Sequence, residues 1–565
     1  MKPIFSTILT LLLAVSVTAQ TVTVGSTSLQ TWKGWEATFH DGLHDFPATG
    51  QNWHNAALDA FVDLGGNRIR TEIHSGLVES STDYVSPYFA DGRDYSTNPF
   101  YSNFVSNTLR ATPINDNADP NSINASGFKF AEIDKTVDSY ITPLKAKLAV
   151  RGETLFWVLT YVHFSTSNQF HVDTPAEYGE LILATWQHLN TRYGMVPDAL
   201  EVYLEPDNGA ALVTSAEIAA MVMAARNRLV NAGFAKPYII APTTVTSPAT
   251  LGFYRGVKTA NATAGTYVDE VARHRYGTAP DDTMLIALRN EVEADGKKSS
   301  MLETDFNGTL ANLHQDIEVG RVSAWNGKWI IAYPTATDTG SMYFMINPVS
   351  PYGITKTNHA KYTEHYMKYI RQNALMKSVT NSSSNFRGVP FVNPNGKYVV
   401  PIRALTSGTV TVSGLHAGTY KRCRTIGDGM NAPSIYNSCE SDVTIASGQN
   451  VTITFSGAGV GTVYDINYLA NSAAPMQIVT ASLPNAVCMQ PYNQTLQASG
   501  GSGSYVWSVS SGNLPAGMWL DTANGVIRGR ARLKGTRNFT LTVQDSQNVS
   551  AAASQAFAVS SRLYF

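Results

Sequence analysis

From about residue 30 to residue 385 the chain alternates short strand-like apolar runs with longer amphipathic patterns of helical period, an order that few folds accommodate. The strand-like runs lie at 67–73, 154–162, 200–204, 238–241, 270–274, 299–303 and 329–333. Helical patterns at 175–193, 214–232, 313–322 and 361–377 fall between or after them. The first is introduced by Thr174-Pro175, a cap residue followed by a proline that suits the first helical turn; the second stops before Gly233. Repeated strand–helix–strand units pair their strands in parallel and cover them with helices. With a first strand near 30–35 the set reaches eight, the number that closes a (β/α)8 barrel. A doubly wound open sheet is the rival, and no G-x-G-x-x-G follows a strand to favour it.

The pattern changes after residue 385. Residues 387–470 carry alternating runs (398–402, 409–412, 451–455) separated by Gly and Asn, which predicts an antiparallel β-sandwich. Residues 471–475 read as a linker, and 476–565 are again all-β. At the other end Lys2, an apolar stretch over 8–17 and the small residues Val17-Thr18-Ala19 have the layout of a secretory signal. The expected organisation is therefore a signal over 1–19, a barrel over 20–386, a β-sandwich over 387–470 and a second sandwich over 476–565. Of three cysteines, Cys423 and Cys439 lie close enough in a β-rich stretch to pair in an oxidising compartment, leaving Cys488 alone. No Cys/His cluster has metal-binding spacing, so neither metal nor cofactor is expected. A formal net charge of -2 gives no basic field for nucleic acid or an anionic membrane, and no later segment is long and apolar enough to insert in a bilayer.

Barrel chemistry sits where strands give way to loops at their C-terminal ends. Two strands end in Glu: Glu201-Val202-Tyr203-Leu204-Glu205-Pro206-Asp207-Asn208 and Ser300-Met301-Leu302-Glu303-Thr304-Asp305. A single strand-end Glu is as readily a salt-bridge partner, but two on separate strands supply what glycosidic hydrolysis requires, one proton donor and one ionised carboxylate. Arg70 ends 65–70, and His274 and Tyr276 lie in His274-Arg275-Tyr276 at the end of the run 270–274. An Arg there can hold a carboxylate ionised, and a Tyr hydroxyl can donate to it. His163, at the end of 154–162, and Asn208 are candidate donors to a sugar hydroxyl. Trp35, with Trp32 and Trp53, lies in loop-like early sequence and is a candidate stacking surface for a sugar ring. Sites centred on Asp207 or Asp305 are the weaker alternative.

Taken in this order, the pieces resemble a clan A glycoside hydrolase, and within it glycoside hydrolase family 30, notably the endo-β-1,6-galactanase-like members. The matching residues are Arg70 after the second strand, Glu205-Pro206 after the fourth, His274-Arg275-Tyr276 after the sixth, Glu303 after the seventh and the opening Thr31-Trp32-Lys33-Gly34-Trp35-Glu36. The resemblance covers roughly residues 30–468. It implies a retaining hydrolase of β-linked polysaccharide or oligosaccharide, with Glu205 as acid/base and Glu303 as nucleophile. Leu204 departs from it, since the clan places there an Asn that contacts the sugar 2-hydroxyl; Glu36 stands where the family often has Gly. The tail is similar to the bacterial "Putative Ig" domain, through Leu496-Gln497-Ala498-Ser499-Gly500-Gly501, Leu514-Pro515-Ala516-Gly517, Asn524-Gly525-Val526-Ile527-Arg528-Gly529 and Phe539-Thr540-Leu541-Thr542-Val543. These likenesses imply a bacterial protein, exported to the periplasm or beyond. The competing reading, motivated by Leu204 and the Ig-like tail, is a non-catalytic glycan-binding surface protein on a degenerate barrel.

Overall fold

A computed structural model describes residues 20–38, 53–90, 110–165, 168–209, 213–304, 308–328, 330–334, 337–338, 340–347, 353–469, 477–499, 505–522, 524–545 and 548–562. The signal-like segment, Asp305 and the linker-like 471–475 lie outside these residues. Eight parallel strands close into a barrel. In chain order they are β1 (Gly34–Thr38), β2 (Arg68–His74), β3 (Phe156–Val162), β4 (Ala199–Glu201), β5 (Tyr238–Thr244), β6 (Glu270–His274), β7 (Lys298–Glu303) and β8 (Ala324–Trp325). Closure comes from Gly34 and Trp35 pairing with Ala324 and Trp325.

The local signals that specify the helices are largely satisfied. Thr214 caps the helix Ser215–Asn231 through a reciprocal capping box with Glu217. Gly194 takes the left-handed conformation that ends Pro175–Tyr193; at the start of that helix Pro175 fits the first turn, while the Thr174 side chain makes no capping bond. Among the described residues no helix is long and apolar enough to cross a membrane.

Strand parity divides the barrel into two layers. Trp157, Leu159, Leu200, Ile239, Val271 and Met301 pack outward, in one core shared with the helices. Phe156, Val158, Ala199, Ile240, Ala272, Leu302 and Ala324 form a separate, smaller cluster lining the lumen. The lumen also holds charge. Arg68, fully buried over the Phe156 ring, donates to Glu36 and to both oxygens of Glu270 (2.8 and 3.1 Å). Ser300 and Tyr238 complete the Glu270 shell at 2.6 and 3.2 Å. Glu36 therefore belongs to the barrel's structural ion network.

Three expectations are corrected. The eighth barrel strand is Ala324–Trp325; the longer run Ile330–Pro334 pairs with Met342–Asn347 in a separate three-stranded sheet that includes Gly353–Lys356. A two-residue strand leaves too short an apolar run to be read, and the stronger run beside it draws the assignment. The helical pattern at 361–377 resolves into a helix, Asn358–Met367, and a strand, Leu375–Asn381, whose Met376 packs on the barrel core and whose Val379 packs on the side-domain core. Finally, the barrel does not begin at residue 20. Strand Gln20–Thr31 pairs antiparallel with Leu375–Asn381 and parallel with Gly408–Ser413, so the side domain takes strands from both ends of the barrel segment.

That side domain is a ten-stranded sheet folded across one apolar core, in which Val22, Val410 and Ile453 meet Ile402, Tyr420 and Val463. Cys423 and Cys439, directly opposed on neighbouring strands, form a disulfide; Cys488 is free and buried. The tail has four- and three-stranded sheets around its own core of Trp507, Ile527, Leu541, Val543 and Val559.

The buried Arg68 network yields the first prediction. Arg68→Met strands two carboxylates in the lumen, and breaking a buried pair by removing one partner costs roughly 3–5 kcal/mol. Urea unfolding followed by tryptophan fluorescence is expected to show a loss of that size in the barrel transition; an unchanged midpoint would show that the network contributes nothing.

Candidate active site

At the C-terminal mouth of the barrel, β2, β4, β6 and β7 and the segments that follow them bring six of the expected residues together: Arg70, Glu205, Asn208, His274, Tyr276 and Glu303. Glu303 ends β7, and the register between β6 and β7 shifts between Arg273 and His274, so that His274 lies opposite Glu303. Ser300 and Leu302 face the lumen, so in a regular strand Glu303 would point outward. The irregularity re-aims it inward, a common use of a bulge. Glu205 lies four residues beyond β4, on a segment tied by Leu204 N–H to the Tyr161 carbonyl and by Glu205 N–H to the Thr243 carbonyl, both 3.0 Å. Its φ is 55°, a left-handed conformation that a non-glycine residue adopts at a cost of roughly 1–2 kcal/mol. Such strain concentrates at functional positions.

The two carboxyls face one another. One oxygen of Glu205, one of Glu303 and a ring nitrogen of His274 all lie within 4.8 Å of each other. His274 Nδ1 is 2.8 Å from Glu205 Oε1, and its Nε2 is 4.0 Å from Glu303 Oε2. Asn208 Nδ2 donates to the other Glu205 oxygen at 2.9 Å. The Tyr276 hydroxyl donates to Glu303 Oε1 at 2.7 Å, and Arg70 donates to Glu303 Oε2. Arg70, itself fully buried, also lies 3.8 Å from Glu201. A triad with this spacing also fits a cation, but the guanidinium already placed on Glu303 opposes one there.

Parity explains how one segment serves the site and its support together. His274 and Tyr276 turn inward, while Arg273 and Arg275 turn outward onto the buried Asp316 at 2.6 and 2.9 Å, clamping the segment to the helix Leu310–Glu318. Burial pushes the Glu303 carboxyl up, but Arg70, His274 and the Tyr276 hydrogen bond outweigh it and hold the group down at about 2. Burial disfavours charge on His274 too, yet Glu303 and Glu205 together raise its affinity for a proton.

The other expected residues lie elsewhere or are already engaged. Trp35 is fully buried: its indole N–H donates to the Ile370 carbonyl at 2.9 Å and its ring packs on Trp32, 4.3 Å away. Trp32 is buried as well, with its backbone bonded to Asn373 and Ala374. These tryptophans fasten the barrel to the side sheet, and Trp35 offers no face to a sugar. Trp53 begins the helix Trp53–Leu64, where the sequence suggests a loop. His163 sits 2.9 Å from Ser75 Oγ, and burial lowers its pKa to about 4. Asp207 accepts backbone N–H groups of Val245 and Thr246 and so holds the β5 loop. One residue the sequence reading missed is Phe164, just past β3, an aromatic side chain 40% exposed; a lone Phe after a strand carries no motif to mark it.

With this geometry in place, comparison with known proteins is informative. Residues 474–560 match the family described as Putative Ig domain. Among curated proteins none matches the chain. Among solved structures, the family 30 endoxylanase of Clostridium papyrosolvens C71 is 16% identical with a TM-score of 0.54, covering 79% of this chain and 99% of its own. The catalytic domain of the family 30 xylanase C of Talaromyces cellulolyticus is 15% identical at 0.54, with the same coverage. An endo-β-1,6-glucanase is 14% identical at 0.52, covering 80% of this chain and 95% of its own. The fold is that of the family 30 glycoside hydrolases. The (β/α)8 barrel, its β side domain and an Ig-like tail make up the architecture.

The depressed Glu303 carboxyl links pH to stability. A group whose folded pKa lies below its unfolded value stabilises the fold above that unfolded value, here the ordinary 4.5, and the contribution is lost as pH falls to about 2. Wild type is therefore expected to lose stability relative to Glu303→Gln across that window. Denaturant midpoints at intervals of half a pH unit read the difference; parallel profiles would contradict the assignment of Arg70 and Tyr276 as the groups holding Glu303 ionised.

Proposed function

We propose that the chain is a retaining glycoside hydrolase of β-linked polysaccharide, with Glu303 as nucleophile and Glu205 as acid/base. One observation carries this reading: two carboxyl groups at separate strand ends face each other within 4.8 Å, one locked ionised by Arg70 and Tyr276, the other joined to His274. Retaining hydrolysis calls for carboxyls about 5–5.5 Å apart, too close for a water between them, whereas inversion needs about 6.5–9.5 Å. Glu303 attacks the anomeric carbon from one face while Glu205 gives its proton to the departing oxygen. A glycosyl–Glu303 ester forms, and Glu205, now ionised, takes a proton from the water that hydrolyses it. Asn208 and His274 hold Glu205 in place through the exchange of roles.

Leu204 cannot donate to a sugar 2-hydroxyl, and Asn208 is already bonded to Glu205. Binding at flanking sugars then does more of the work, an endo mode in which remote contacts lower the barrier. Phe164 at the mouth is the candidate stacking face, since Trp32 and Trp35 are internal. Two of the structural neighbours named above are an endoxylanase and an endo-β-1,6-glucanase, in line with this mode. Export is part of the proposal, supported by the signal-like N-terminus and by the Cys423–Cys439 disulfide, which suits an oxidising compartment.

A screen over β-linked polysaccharides followed by two variants tests the assignment. Glu303→Ala abolishes turnover, and azide partly restores it, forming an α-glycosyl azide from a β-linked substrate. Glu205→Gln lowers the rate roughly 10²–10⁴-fold where the leaving group is poor and far less where it is good. Wild-type rates in either variant refute the role given to that residue, and no turnover by wild type on any β-glycan favours the binding-protein alternative. If monoglycosides are cut as fast as long oligosaccharides, the endo mode is wrong.

A further inference from the structure

Away from the catalytic pair, a second group of acidic side chains converges. Asp116 lies in the long connection after β2; Glu177 and Glu180 lie one turn apart on one face of the helix Pro175–Tyr193. One carboxylate oxygen of each lies within 4.8 Å of the others. Such crowding of like charge is ordinary at a wet surface, but two of these three side chains are buried. Glu180 is 1% exposed and Glu177 5% exposed. Both oxygens of Glu180, Oε2 of Glu177 and Oδ1 of Asp116 are buried without a hydrogen-bond partner. The second Asp116 oxygen is already taken, by Asn124 N–H at 2.5 Å and Asn117 Nδ2 at 2.8 Å, which fixes the carboxyl so that Oδ1 remains open. Of the nearby cations, His171 pairs with Glu79 at 2.6 Å, and Arg228 donates to Asn121 and to the Pro120 carbonyl while acting on Glu180 through its charge alone.

We propose that Asp116, Glu177 and Glu180 form a binding site for a hard divalent cation, Ca²⁺, which joins the 110–124 segment to the helix Pro175–Tyr193. Buried carboxylates are paired, hydrogen-bonded or bound to metal, and among the described residues no cationic side chain is bonded to Glu180. Three carboxylates with oxygens within 4.8 Å suit an ion whose oxygen ligands stand 2.3–2.6 Å away, on opposite or adjacent sides of it. An all-oxygen set without imidazole or thiolate selects Ca²⁺ or Mg²⁺ over zinc or copper. A site shared between a loop and a helix, with Glu180 able to bind through both oxygens, favours the irregular, flexible shell of Ca²⁺ over the strict octahedron of Mg²⁺. The cation would have a mechanical effect. The same segment sends Arg110 to His74 Nε2 (2.6 Å) at the mouth end of β2, and Asp116 N–H to Glu79 (3.3 Å), so binding would brace one wall of the barrel mouth without touching Glu205 or Glu303.

The test uses the full chain, stripped with EDTA and dialysed. Titration calorimetry with CaCl₂ is expected to show one equivalent bound, with a dissociation constant on the order of 10⁻⁵–10⁻³ M and weaker binding of MgCl₂. Saturating Ca²⁺ is expected to raise the thermal midpoint by about 2–4 °C. Glu180→Gln and Asp116→Asn each abolish both signals, while Glu303→Gln, in the other acidic group, keeps them. No saturable heat in the stripped wild type overturns the proposal and leaves a shared proton as the way these carboxyls are settled. Ca²⁺ binding that survives both Glu180→Gln and Asp116→Asn, or disappears in Glu303→Gln, overturns the assignment to these residues.

Discussion

Two arginines on one barrel strand, Arg68 and Arg70, are the cations on which the polar lumen depends. Both are fully buried, spaced two residues apart so that both face inward. The lower one neutralises Glu36 and Glu270 and belongs to the scaffold. The upper one reaches Glu303 and Glu201, at the proposed catalytic pair. The same strand thus sets a structural ion network beneath a reactive one. A buried carboxylate without Arg70 would bind a proton and stop being a nucleophile. With Arg70 and the Tyr276 hydroxyl in place it stays ionised, and Glu205, bonded to His274 and Asn208, is free of that guanidinium. Two chemically identical side chains thus have different neighbours, and the proposed division of tasks rests on that difference.

The side domain is more than an appendage. Its sheet includes Gln20–Thr31, which precedes the barrel, and Leu375–Asn381, which follows it. Trp32 and Trp35 sit at the junction, closed over by Ile370, Ala374 and Phe391. The segment leading into β1 is therefore held from both sides, and the first barrel strand is positioned by contacts outside the barrel. The tail has a separate apolar core, and among the described residues its strands pair only with one another.

Much of this was legible in the residues. Strands such as Glu270–His274 stand out because an apolar run is bounded by polar turns, and a Glu placed where such a run ends is conspicuous whatever the fold. Glu205, Glu303, Arg70, His274 and Tyr276 could all be picked out in that way. What the sequence could not carry was anything set by register or by distance across the fold. The bulge that turns Glu303 inward exists only between paired strands. Ala324–Trp325 is too short to leave a pattern. Trp35 looks available in an extended chain and is enclosed once the side sheet forms. Asp116 and Glu180 meet because the connection after β2 folds against a helix far away in the sequence, and no local spacing records that.

The central claim is that Glu303 and Glu205 act as a retaining pair, and the stereochemistry of the first-formed product tests it most directly. A β-linked oligosaccharide that the enzyme cleaves, followed by proton NMR from the earliest turnover, reports the new reducing end before mutarotation scrambles it. The account predicts that the β-anomer appears first and relaxes to equilibrium afterwards. An α-anomer appearing first would mean that water attacks directly, and the assignment of Glu303 as nucleophile would be wrong.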